Sequence, residues 1–104
     1  MVRIIVVCGA GASSTFVAHR IRRAAAARGL AVRATATSES QLDRALTDAD
    51  VLLVGAHLAD RLDVVRERAG AASVPVAILS ESAAAAGDGA EALDIALEFA
   101  GAVS

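Results

Sequence analysis

Along the chain, short apolar runs alternate with longer stretches in which apolar residues recur every three or four positions. "VRIIVV" (2–7) is too uniformly apolar for a sheet with one wet face, so it reads as a strand buried on both sides. From Ser13 or Ser14 a helix is expected to about Arg28, with Val17, Ile21 and Ala24 or Ala25 on its inner side and Gly29 stopping it. "LAVRATA" (30–36) alternates like a half-exposed edge strand. Ser38 and Gln41 have the spacing of a capping box before a short helix through Leu42, Ala45 and Leu46. "DVLLVG" (50–55) is a second buried strand. Leu58, Leu62, Val65 and Ala69 form the apolar stripe of a third helix, ended by Gly70, whose charged side faces solvent. "VPVAIL" (74–79) is a fourth strand, with Pro75 at its start, where a missing N–H costs least. Residues 80–87 read as irregular or as a single helical turn. Asp88, with Glu91 three positions on, is expected to cap a last helix that turns Leu93, Ala96, Leu97 and Ala100 inward.

Strand and helix alternate four times, which implies an α/β fold: a single open four-stranded parallel sheet with helices on both faces. Right-handed crossovers favour the order 2-1-3-4. The 104 residues suffice for one domain with one core, and no linker divides them. In such sheets ligands bind beyond the carboxyl ends of the strands, where the winding reverses. That point falls between the first and third strands, beside the segments after Val7 and at Gly55–His57.

Composition narrows the classes. Hydrophobic residues make up 56% of the chain, so it is not disordered, but only Phe16 and Phe99 are aromatic. The core is therefore expected from Val, Ile, Leu and close-packed Ala. The net charge of −2 gives no electrostatic footprint for nucleic acid. The lone cysteine excludes an internal disulfide and fits a reducing compartment. Arg3 and the short apolar run after it look superficially like a secretory leader, but the run is short and Val7 does not suit a cleavage site. No segment approaches the roughly 20 apolar residues of a membrane span. A cytoplasmic protein without direct membrane insertion is the expectation.

The chemistry concentrates in "IIVVCGAGASST" (4–15), where the cysteine ends a buried strand and a small-residue turn leads into a helix. The first amides of a helix lack internal partners and carry a partial positive charge. Gly9 and Gly11 let the backbone curl, Ala10 and Ala12 keep the concavity open, and Ser13, Ser14 and Thr15 add hydroxyls. Such a cradle suits a phosphoryl group. It would also favour the thiolate of Cys8, whose ordinary pKa of about 8.5 falls at a helix N-terminus. Three other readings of the same residues stand beside this one. A buried cysteine can be a mere small hydrophobe. A low-molecular-weight phosphatase needs an arginine six positions after the nucleophile, where this chain has Ser14. A nucleotide- or anion-binding module of flavodoxin- or Rossmann-like fold would use the approximate Gly-x-Gly-x-x-Gly/Ala at Gly9–Ser14 with Glu39 on a ribose, but the third glycine is absent.

The ordered set "IIVVCGAGASSTFVAHRIRRAAAARGL", "DADVLLVGAHLADRL", "VPVAIL" and Asp88-Gly89 resembles the IIB component of the sugar phosphotransferase system, lactose/cellobiose (diacetylchitobiose) class, over nearly the whole length. The resemblance implies that Cys8 is phosphorylated, with Gly9 to Thr15 as the phosphate loop. It implies a donor, the phosphohistidine of a IIA protein, and an acceptor, a sugar held by the membrane-embedded IIC component. No cofactor is expected, and two distant histidines with no second cysteine make no metal site. Ala12 stands where relatives often have methionine, and Ala56 where proline is common. Neither removes a donor that this chemistry requires. His57, beyond the third strand, is either a second phosphate contact or an ordinary surface histidine. His19 with Arg20, Arg22 and Arg23 makes a basic side on the first helix, either solvated or able to meet an acidic partner.

Overall fold

A computed structural model describes residues 2–7, 11–55, 61–79 and 89–101, apart from the side chains of residues 11–14, 39 and 101. The strands are β1 (Val2–Val7), β2 (Val32–Thr37), β3 (Val51–Gly55) and β4 (Val76–Leu79). The helices are α1 (Gly11–Ala27), α2 (Leu42–Leu46), α3 (Leu62–Ala71) and α4 (Ala90–Gly101), with a 3-10 turn at Glu39–Gln41. All strand pairings are parallel and the sheet order is β2-β1-β3-β4, as the alternation of patterns predicts.

The sheet separates two apolar layers. On one face Ile4, Val6, Ala34, Leu53 and Leu79 pack with α1 and α4 through Ala18, Ile21, Ala25, Leu93 and Ala96. On the other face Ile5, Val7, Leu52 and Val54 pack with Leu42 and Leu46 of α2 and with Val65 and Ala69 of α3. Every buried hydrophobic side chain among the described residues is Ala, Val, Ile or Leu, so small side chains bring helix and sheet together without aromatic filler. Strand β3 is buried along its length and β1 from Ile4 to Val7, whereas β2 alternates as an edge strand does.

Three local expectations are corrected. Helix α1 begins at Gly11, two or three residues before Ser13 or Ser14, so the connection after β1 is short. The capping box at Ser38 and Gln41 does not form: the Ser38 carbonyl accepts the Gln41 N–H, and the Ser38 hydroxyl meets that of Ser40. Gly70 does not end α3. The helix runs through Ala71, and Ser73 takes the left-handed turn at φ 58°. Val74 N–H then donates to the Ala69 carbonyl and Ser73 N–H to that of Gly70, which closes the helix in a Schellman motif. The same pair of bonds ends α1, with Gly29 at φ 67° in the left-handed place and Leu30 N–H donating to Ala25. There the glycine is where the sequence puts it.

At the start of α4, Leu93 N–H donates to the Gly89 carbonyl, which makes Gly89 the flanking residue in place of Asp88. Asp88 and residues 80–87 lie outside the described residues.

Candidate functional site

The geometry of the candidate site follows from how the strands are wound. Helix α1, which follows β1, lies on one face of the sheet, and α3, which follows β3, lies on the other. The winding therefore reverses between these two adjacent strands, and their carboxyl ends, Val7 and Gly55, border the crevice. Val7 and Val54 are register partners there. Val7 is fully buried, so β1 delivers the chain to this rim from the middle of the core.

Three residues, Cys8, Gly9 and Ala10, separate the end of β1 from the start of α1. They lie outside the described residues, as do Ala56 and His57. Gly11, Ala12, Ser13, Ser14 and Thr15 belong to the opening of α1 and not to a loop before it. The amides of Gly11, Ala12 and Ser13 thus occupy the first turn, whose N–H groups have no acceptor one turn back. From Thr15 onward each amide has a carbonyl four residues earlier within the same helix. Thr15 and Phe16 are exposed, and Phe16 presents 62% of its surface to solvent.

Two features of this rim were not singled out in the sequence. Thr37, the last residue of β2, is the register partner of Val7 and the buried polar side chain among the described residues. Its hydroxyl donates to the Ser38 carbonyl at 3.4 Å. The only sequence signal was a hydroxyl residue ending a strand next to the one that carries the cysteine. The other feature is Phe16, an exposed aromatic one turn beyond the start of α1. A helical pattern alone does not tell an outward phenylalanine from an inward one at the edge of a stripe.

The basic side of α1 is only partly available. His19 and Arg23 are exposed, but the Arg22 guanidinium donates to the Ala34 carbonyl of β2 at 3.2 Å. Among the described residues no helix is long and apolar enough to cross a membrane.

Fold and site together define an open parallel α/β domain in which a strand-to-helix connection at the switch point holds the chain's single cysteine. The lactose/cellobiose-specific IIB subunit of the phosphotransferase system (PTS) matches over residues 3–94, and the chain belongs to that family. It is a IIB-type sugar phosphotransfer domain. Its fold is similar to that of the lactose-specific IIB component domain of the phosphoenolpyruvate:carbohydrate phosphotransferase system from Streptococcus pneumoniae (TM-score 0.83, 14% identity, 94% of this chain and 96% of the other). It is also similar to the cellobiose-specific phosphotransferase IIB component protein from Borrelia burgdorferi (TM-score 0.81, 22% identity, 99% of this chain and 94% of the other). No curated protein sequence matches the chain.

Proposed function

We propose that this domain is a phosphocysteine carrier that takes a phosphoryl group from a IIA phosphohistidine and gives it to a sugar bound by a membrane IIC component. The observation that carries this reading is the position of Cys8: the only cysteine of a IIB-family chain, between the buried end of β1 and the first turn of α1. In the first step the Cys8 thiolate attacks phosphorus, an S–P bond forms, and the P–N bond to the donor histidine breaks. In the second step a sugar hydroxyl attacks, an O–P bond forms, the S–P bond breaks, and the hydroxyl proton leaves to solvent or a base. The amides of Gly9 to Ser13 stabilise the equatorial oxygens in both steps, and the positive end of α1 favours both the sulfur anion and the phosphorylated product. Ser13, Ser14 and Thr15 supply hydroxyl donors, and His57 lies close enough along the chain to Gly55 to serve the same rim.

With Ser14 at the place of the phosphatase arginine, no guanidinium fork holds the phosphate for attack by water. The phosphocysteine therefore lasts long enough to be passed on. In this reading the acceptor is a lactose- or cellobiose-like disaccharide, the class the family is named for, and the site of action is cytoplasmic, with the membrane reached only through IIC. The test is a chase experiment. Label from phosphorylated IIA is loaded onto this chain, which is then mixed with vesicles holding IIC and a disaccharide. The label is expected to pass from IIA to this chain to the sugar, and to stop at IIA when Cys8 is replaced by serine. Label that reaches the sugar equally through Cys8→Ser, or never leaves IIA with the wild-type chain, overturns the proposal.

A further inference from the structure

The amino end of the sheet carries a second concavity, independent of the reading above. Arg3 of β1 and Arg33 of β2 are register partners on adjacent parallel strands. Their side chains leave the same face, with backbones about 5 Å apart. Like charges placed side by side across strands repel. Nothing large covers them, because α2 is only five residues long and reaches this part of the sheet with Ala45. What remains is a cavity of about 230 Å³ lined by Arg3, Arg33, Thr35, Ala45, Asp48 and the β1 residues Ile4 and Ile5.

Compensation for the two cations is incomplete. Asp48, the acidic residue of the lining, approaches the Arg3 guanidinium at 3.7 Å without a hydrogen bond, and both side chains are well exposed. Asp50 is engaged with the backbone: its carboxylate accepts the Arg3 N–H at 2.7 Å and its own N–H donates to the Arg3 carbonyl. The Arg33 guanidinium and the Thr35 hydroxyl have no partner among the described residues.

We infer that this cavity binds a small phosphate monoester, held between the guanidinium forks of Arg3 and Arg33 with the Thr35 hydroxyl on the remaining oxygen. Two planar forks and one hydroxyl match the three terminal oxygens of a phosphate better than the two of a carboxylate. A dianion balances the two arginines once Asp48 swings outward, and the long Arg3–Asp48 pair gives little resistance to that movement. The volume admits the phosphate and a body of a few carbons, below the usual range of drug-sized pockets. The site is distinct from the crevice at Val7. Arg3 lies four residues earlier on β1, about 13 Å away at the rise of a strand.

The test follows backbone amide resonances of the full chain during titration with inorganic phosphate and, separately, with glycerol 3-phosphate. Saturable shifts are expected at residues 3–5, 33–35 and 45, with the ester binding at least about threefold more tightly than inorganic phosphate. Arg33→Gln, which removes an exposed side chain and leaves the melting temperature unchanged, should weaken binding at least about tenfold, as should Arg3→Gln. Three results overturn the inference: shifts confined to the start of α1, no saturation at the strand residues, or undiminished binding by Arg33→Gln. Ester binding no tighter than that of inorganic phosphate overturns the choice of a monoester.

Discussion

Gly89 lies against the backbone of Arg20 so closely that a Cβ built on it would stand 2.5 Å from both the Arg20 carbonyl carbon and its oxygen. Its φ of 70° is also left-handed. The entry to α4 is thereby pressed onto the middle of α1, the helix whose first turn faces the candidate site. Gly89→Ala meets both a conformational penalty and backbone overlap, and should cost about 3 kcal/mol or more. Gly29→Ala shares the left-handed φ but meets nothing within 4 Å, and should cost about 1 kcal/mol. Urea denaturation of the two variants checks the difference, and equal losses would mean that the contact with Arg20 contributes nothing.

Helices α1 and α3 end in the same hydrogen-bonded motif, but α3 places Ser73 where α1 has Gly29. A serine bears a steric cost at φ 58° that a glycine does not. Ser73→Gly should therefore stabilise the domain by about 0.5–1 kcal/mol, after allowance for the greater freedom of glycine in the unfolded chain. A rise of a few degrees in melting temperature is the expected readout, and a fall would mean that the serine side chain contributes more than the strain removes.

The Arg28 guanidinium, at the end of α1, donates to the Asp94 carboxylate of α4 at 2.5 Å. That hydrogen bond holds the Asp94 carboxyl below its ordinary value of 3.8; desolvation opposes it, and the Arg28 charge adds a lesser lowering. A carboxyl depressed in the folded state contributes stability above its unfolded pKa and loses it as pH falls through the folded value. The wild-type chain should therefore be slightly more stable than Asp94→Asn above about pH 4, with the gap closing at lower pH. Added salt should narrow the gap at neutral pH, because the pair is exposed. Thermal melts at several pH values check both trends, and a gap that widens in acid would contradict the account.

Phe16, one turn beyond the start of α1 and largely exposed, fits contact with the IIA donor of the proposed relay, which would have to bring its histidine to the rim. Phe16→Ala should slow phosphoryl transfer from IIA by about tenfold, the scale of an aromatic anchor in an interface. Stability should change by no more than about 0.5 kcal/mol. Quench-flow transfer rates beside a melting curve separate the two effects, and an unchanged rate would remove Phe16 from the docking surface.

The layered fold was legible because its signals are redundant. Ile4 to Val7 and Val51 to Val54 are apolar on both faces, which leaves few places for them except the middle of a covered parallel sheet. Strand order followed from chain connectivity and handedness. Helix ends were harder to read, because their cues are single residues. Gly29 ends α1 as read, but at α3 the glycine cue at Gly70 pointed inside the helix, and the left-handed residue was a serine. The start of α1 was misplaced because Ser13 and Ser14 look like caps, whereas the chain turns helical at Gly11, as soon as β1 and its short connection allow. The side-by-side placement of Arg3 and Arg33 was invisible, since it depends on the register between strands thirty residues apart. Within the candidate site, the proposed chemistry was read from the sequence at Cys8 and the small residues after it, and the fold contributes the switch point and the first turn of α1.

The most direct measurement is the intact mass of the chain after incubation with phosphorylated IIA, followed by peptide mapping under conditions that spare S–P bonds. The wild-type chain should gain one phosphoryl group, located on the peptide that holds Cys8, and Cys8→Ser should gain none. A phosphoryl group on any other residue, an equal gain in the serine variant, or no gain in the wild-type chain would contradict a role for Cys8 as the carrier.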